Sequence, residues 1–150
     1  MIWLSRILIP VSLVGLLMGN GDGSTALHWA SYRDDLKSAD QLIRSGADVN
    51  AANDLGVTPL WTASLNGSAA MVRRLLEAGA NPNAPLLSGE TPVMVAARSG
   101  KPEVVEQLLA KYANVNARGV RGQTALMWAV AQQHTDVVKV LLANGADIRQ

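Results

Sequence analysis

The chain has 150 residues, enough for one ordinary domain and too few for two comfortable ones. Hydrophobic residues make up 49% and charged residues 17%, so a sizeable core can be buried and disorder is excluded over most of the length. Thirteen basic against twelve acidic residues leave a formal charge of +1 with no basic stripe, which argues against a nucleic-acid partner. The absence of cysteine removes disulfides, thiolate metal sites and cysteine nucleophiles. With no Phe, four Trp and two Tyr, the core has to come mainly from Leu, Val and Ala, which suits closely packed helices.

Residues 1–18 read MIWLSRILIPVSLVGLLM, with Arg6 as the one charge. About 20 residues are needed to span a bilayer as a helix, and the apolar run from Ile7 to Met18 is shorter. A positive start, a short apolar middle and the polar Gly19-Asn20-Gly21-Asp22-Gly23 make an export signal the favoured reading of residues 1–19, with a periplasmic or secreted destination. The alternatives are a membrane tether through residues 1–18, or a hydrophobic helix that covers the end of the following domain in a cytoplasmic protein.

From Asn20 onward the chain repeats every 33 residues. Thr25, Thr58, Thr91 and Thr124 each open a short motif, Thr-Ala-Leu-His, Thr-Pro-Leu-Trp, Thr-Pro-Val-Met and Thr-Ala-Leu-Met. Ala30, Ala63, Ala96 and Ala129 keep the same step. So do Leu42-Ile43, Leu75-Leu76, Leu108-Leu109 and Leu141-Leu142, and so do Gly46-Ala47-Asp48, Gly79-Ala80-Asn81, Tyr112-Ala113-Asn114 and Gly145-Ala146-Asp147. The landmarks divide the domain 20–150 into units at about 20–52, 53–85, 86–118 and 119–150.

Each unit predicts two helices and a turn. The threonines sit where a helix entrance needs an acceptor, and Pro59 and Pro92 sit at the first helical position, where no donor is lost. Leu27, Ala30 and Ser31 give the first helix a narrow packing face. Met71, Val72, Leu75 and Leu76, matched by Val104, Val105, Leu108 and Leu109, give the second helix its apolar stripe. Gly46, Gly79 and Gly145 end that helix in the left-handed conformation, and Gly56, Gly89 and Gly122 mark a turn before the next unit. Tyr112 stands where the other copies have the helix-ending Gly.

These residues resemble the ankyrin repeat: a turn Gly, Thr-Pro-Leu-His, two alanines, Gly, a paired Val, a paired Leu, and Gly-Ala-Asp-Val-Asn. The resemblance covers about Asn20 to Ile148. It implies an all-α solenoid of helix-turn-helix units with protruding β-turn loops, first helices and turn tips lying on the concave side. It also departs from the pattern. Only His28 keeps the motif histidine, and Asp34 and Gln133 replace the mid-repeat glycine kept at Gly67 and Gly100.

No chemical constellation competes with this reading. Gly19-x-Gly21-x-Gly23 lacks the third glycine of a dinucleotide fingerprint, because Ser24 stands there. His28 and His134 lie on different units, too few and too far apart for zinc or a His-dependent nucleophile. The resemblance makes His28 a structural residue bonded into neighbouring turn backbone; His134 is expected to be exposed between helices. Asp34-Asp35 reads as a solvated turn, and Asn66-Gly67-Ser68 as a formal glycosylation sequon. No catalysis, cofactor, metal or small-molecule substrate is expected.

The resemblance instead implies protein binding through the positions that the fold leaves free, as a scaffold or inhibitor of a partner. In the first unit these are Asp22, Ser24, Tyr32 and Arg33. In the second they are Asp54, Leu55, Val57, Leu65 and Asn66. The third offers Leu87, Ser88, Glu90, Arg98 and Ser99, and the fourth Val120, Arg121, Gln123 and Gln132. Leu55, Val57, Leu87 and Val120 are apolar at turn tips, where they either form a contact face or pack on adjacent turns. The fourth unit also carries Val130, Ala131 and Val140 where earlier units are more polar. A partner covering that end, end-to-end self-association, or a longer array of which this chain is a fragment would each account for it.

Overall fold

The computed structural model describes residues 21–149, so the expectations about the leader fall outside the described residues. Eight α-helices are described: α1 Ala26–Tyr32, α2 Leu36–Arg44, α3 Pro59–Asn66, α4 Ala69–Glu77, α5 Pro92–Arg98, α6 Pro102–Ala110, α7 Ala125–Ala131 and α8 Thr135–Ala143. They form four pairs, and no strand is assigned among the described residues. First helices stack on first helices (α1 on α3, α3 on α5, α5 on α7), while α4, α6 and α8 stack in a second layer with α2 touching α4. The architecture is the all-α helical repeat that the 33-residue period predicts.

Burial follows the periodicity. Leu27, Leu60 and Val93 on the first helices meet Met71, Val72, Leu75, Val104, Val105, Leu108, Val137 and Leu141 on the second helices in one continuous core, with the equivalent Leu126 partly buried against it. Ala30, Ala63, Ala96 and Ala129 are all buried. Their small side chains let the first helices come close, as their spacing predicts. A second cluster forms around Val57, Trp61 and Val95, with Trp29, Tyr32, Leu65 and Leu86 packed against it on the turn-tip side.

Hydrogen bonds tie each unit to the next. Nε2 of His28 donates to the carbonyl of Val57 at 2.8 Å, while the Thr25 amide donates to its Nδ1 at 3.0 Å. The two bonds define the neutral Nε2–H tautomer, and burial lowers the ring's pKa against the opposing pull of Val57 and Asp22. This is the structural role expected of His28. Three asparagines make a ladder along the other edge. Asn50, Asn83 and Asn116 each donate to the carbonyl of the next unit's helix-ending residue (Gly79, Tyr112, Gly145) and accept from the amide of Asn81, Asn114 or Asp147.

Three local expectations need correction. Thr58 and Thr124 accept from the helix amides of Trp61 and Met127 and Thr25 forms a reciprocal capping box with His28, but the buried Thr91 Oγ1 has no partner. Val57 is not an exposed turn-tip residue; it is fully buried, because its side chain closes the second cluster under the tip. His134 is not exposed between helices either. It is half-buried and its Nε2 bonds the Arg98 carbonyl at 3.0 Å, filling the space beside Gly100.

Gly46, Gly79 and Gly145 have φ between 87° and 95°, and a Cβ at each would meet nothing within 4 Å. Conformation alone selects glycine there. Tyr112 takes the same corner at φ 66° with its ring 89% exposed, so the side chain returns little packing for the strain. Tyr112→Gly should therefore raise stability by about 1 kcal/mol in urea denaturation. A lowered melting temperature for this variant would contradict the assignment of strain.

Candidate functional site

Three of the turns before the first helices are small closed loops. The Asn53 amide donates to the Val57 carbonyl, Leu86 to Glu90 and Gly119 to Gln123, each across one tip. Asn53 organises its own loop further, its Oδ1 accepting from the amides of Leu55 and Val57 at 3.0 and 2.9 Å. Consecutive tips are then joined edge to edge: Asp54 N–H donates to Asp22 O at 2.8 Å, Leu87 to Leu55 at 3.0 Å and Val120 to Ser88 at 3.2 Å. Such close approach requires glycine at the corner. A Cβ on Gly56 would lie 3.0 Å from the Pro85 carbonyl oxygen, and one on Gly89 would lie 3.0 Å from the Val120 nitrogen.

This tip ladder displays apolar side chains in water. Leu55 is 40% exposed, Leu87 75% and Val120 74%. Leu55 and Leu87 are linked through their backbones, and Leu87 and Val120 occupy equivalent positions on neighbouring tips, so the three form one edge rather than scattered points. Asp54, Ser88 and Arg121 are exposed beside them. Asp22 is half-buried and accepts from the Ser24 amide at 2.9 Å and from Asn53 Nδ2 at 3.3 Å. Gln123 accepts from the Arg121 amide at 3.1 Å.

The ends of the first helices supply a second row. Tyr32 is half-buried and meets Trp29 edge to face with centroids 6.0 Å apart, and the exposed Arg33 guanidinium lies 5.9 Å from the same Trp29 ring. Leu65 packs on the second cluster and is partly open to solvent. Asn66 spends its amide on the neighbouring unit, donating to the carbonyls of Tyr32 at 2.9 Å and Ser31 at 3.2 Å. Ser99 and Gln132 are half-buried at the ends of α5 and α7.

Glu90 and Arg98 stand apart from the other named positions. They pair with each other at 2.5 Å, with 12% and 11% of their side chains exposed. The Arg98 guanidinium lies 5.2 Å from the Trp128 ring centroid, and its second terminal nitrogen has no partner. Burial raises the Glu90 carboxyl above its ordinary value while Arg98 pulls it down; burial lowers Arg98 while Glu90 raises it. The pair therefore holds the third tip against α5 and presents little charge outward. Sequence reasoning missed this pairing and the Trp128 ring that faces it. Residues eight apart carry no helical or strand signal for an ion pair.

Among the described residues no group of three or more His, Cys, Asp or Glu could hold a metal ion. Asp34 and Asp35 point into separate bonds, one to the next unit and one local. Asp35 caps α2 through the Ser38 amide at 3.0 Å, and Asp34 accepts from the Ser68 hydroxyl at 2.5 Å. No helix among the described residues is long and apolar enough to cross a membrane. At the far side of the stack, Met127, Val130, Leu142 and Ile148 are exposed, whereas Val140 is partly buried against the core.

Glu90→Gln would leave a buried guanidinium without its counter-charge, and such losses cost about 3 kcal/mol. Urea denaturation should register that drop, with part of it recovered in the Glu90→Gln, Arg98→Met double variant. A loss below about 0.5 kcal/mol would mean that the pair is solvated.

The family comparison agrees with the geometry. A family model described as ankyrin repeats in three copies matches residues 6–85 and, again, residues 83–150. No curated protein gives a significant match. Proteins of this family are generally interaction modules and typically non-catalytic. The period of 33, the four stacked helix pairs and the family match together place this chain in the ankyrin repeat family.

Proposed function

We propose that this chain binds a partner protein without catalysis, through the concave face built by the turn tips and the first helices. One observation carries the reading: Leu55, Leu87 and Val120 stand in water on tips that are locked edge to edge. Folding does not require apolar side chains there, and rigid backbone beneath them lowers the entropy lost on binding. Tyr32, Arg33, Leu65 and Gln132 on the helix ends provide the floor beside the tip row. Glu90 and Arg98 contribute by holding the third tip in place, and Val57 by supporting the second tip from below.

The decisive variant replaces Leu55, Leu87 and Val120 together with serine in the full chain. Capture of a partner should be lost while the far-ultraviolet circular dichroism stays unchanged. Retained capture would refute the concave-face assignment.

The N-terminal segment supports a destination outside the cytosol through its order of one positive charge, apolar run and small polar residues. Intact mass of the chain from separate cell fractions tests this. Loss of about twenty residues, with recovery outside the cytosol, is expected. An uncut chain in the cytosol would overturn export, and an uncut chain in the membrane fraction would replace it with a tether.

A further inference from the structure

The tip edge is graded in charge as well as apolar. The first two tips carry Asp22 and Asp54, the third carries Leu87 and Ser88, and the fourth carries Val120 and Arg121, preceded by the exposed Arg118. The third tip's own acid, Glu90, is turned inward onto Arg98 and adds no outward charge. The edge thus runs from acidic through neutral and apolar to basic.

Stacked helices lie about 10 Å apart, so the tips of the second and fourth units are roughly 20 Å from each other. That exceeds the screening length of about 8 Å at physiological ionic strength, so Asp54 and Arg121 act as two separate local charges. An extended peptide advances about 3.3 Å per residue and covers the same span in about six residues. Alternate side chains of such a strand point to one side, which places two or three of them over Leu55, Leu87 and Val120.

Resting on the concave-face reading, we infer that the edge takes an extended peptide segment of a partner with an apolar centre, a basic residue at one end and an acidic residue about six positions away at the other. The basic end lies by Asp54 and the acidic end by Arg121. Both charges are exposed, and Leu87 between them is the most exposed of the three tip anchors. Apolar contact supplies the affinity, while the two end charges set register and direction. A segment with the same charge at both ends meets one attraction and one repulsion.

The test is selection of a displayed random octapeptide library on the immobilised full chain, followed by affinity measurement of the selected peptides as synthetic probes. Selected sequences should combine apolar residues with one basic and one acidic residue about six positions apart. Asp54→Lys and Arg121→Glu should each weaken such a peptide roughly threefold at low salt, with the difference vanishing at high salt. Peptides that lack the charge pattern, yet lose binding with serine at Leu55, Leu87 and Val120, would overturn this inference and leave the concave-face reading standing. Binding that survives the triple substitution would overturn both. Absence of any enrichment over a bare surface would overturn the peptide as the occupant.

Discussion

The structure depends on one constraint: a pair of helices of seven to nine residues cannot bury its own apolar surface. α3 and α4 have Leu60, Met71, Val72 and Leu75 fully buried because α1, α5 and α6 close over them from both sides. The 33-residue period is the sequence form of that requirement, since each copy must present the same surface to the next. Polar groups obey the same rule. The His28 bond to Val57, the asparagine ladder and the Asn66 bonds to α1 all cross from one unit to its neighbour.

From that stacking follows the character of the tip edge. The turns are brought within hydrogen-bond distance of one another because the helices beneath them stack. Once they are joined, their corners must be glycine and their side chains can only point inward or out. Val57 and Glu90 take the inward choice, Val57 into the tryptophan cluster and Glu90 onto Arg98. Leu55, Leu87, Val120, Asp54 and Arg121 take the outward one. The functional surface is what remains after the fold has claimed its own residues.

Within this frame the left-handed corners separate conformational need from packing need. Gly46, Gly79 and Gly145 face open space, so only backbone strain opposes a side chain there. Gly56 and Gly89 face the next tip's backbone, where a Cβ would have to displace main chain. Tyr112, Asp34 and Gln133 occupy left-handed positions without being glycine, at φ 66°, 55° and 60°. Tyr112 tolerates this because its surroundings are open, and Asp34 because its carboxylate is held by Ser68.

Helices, units and core were legible in the sequence because a repeated unit states its pattern four times. Periodic leucines, alanines and glycines specify burial through local spacing alone, and His28 was legible from its motif. The display surface was legible only by position: sequence named eighteen sites, and tertiary contacts sorted them. Whether Val57 faces water depends on Trp61 and Val95, and whether Glu90 is a free charge depends on an arginine eight residues away on the next helix. Neither partner follows from local periodicity. The sequence by itself determined the repeat, its helices and its stacking, because these follow from short-range spacing and burial. Only the tertiary structure decided which tip residues remain outward, because that depends on contacts between segments that no local rule connects.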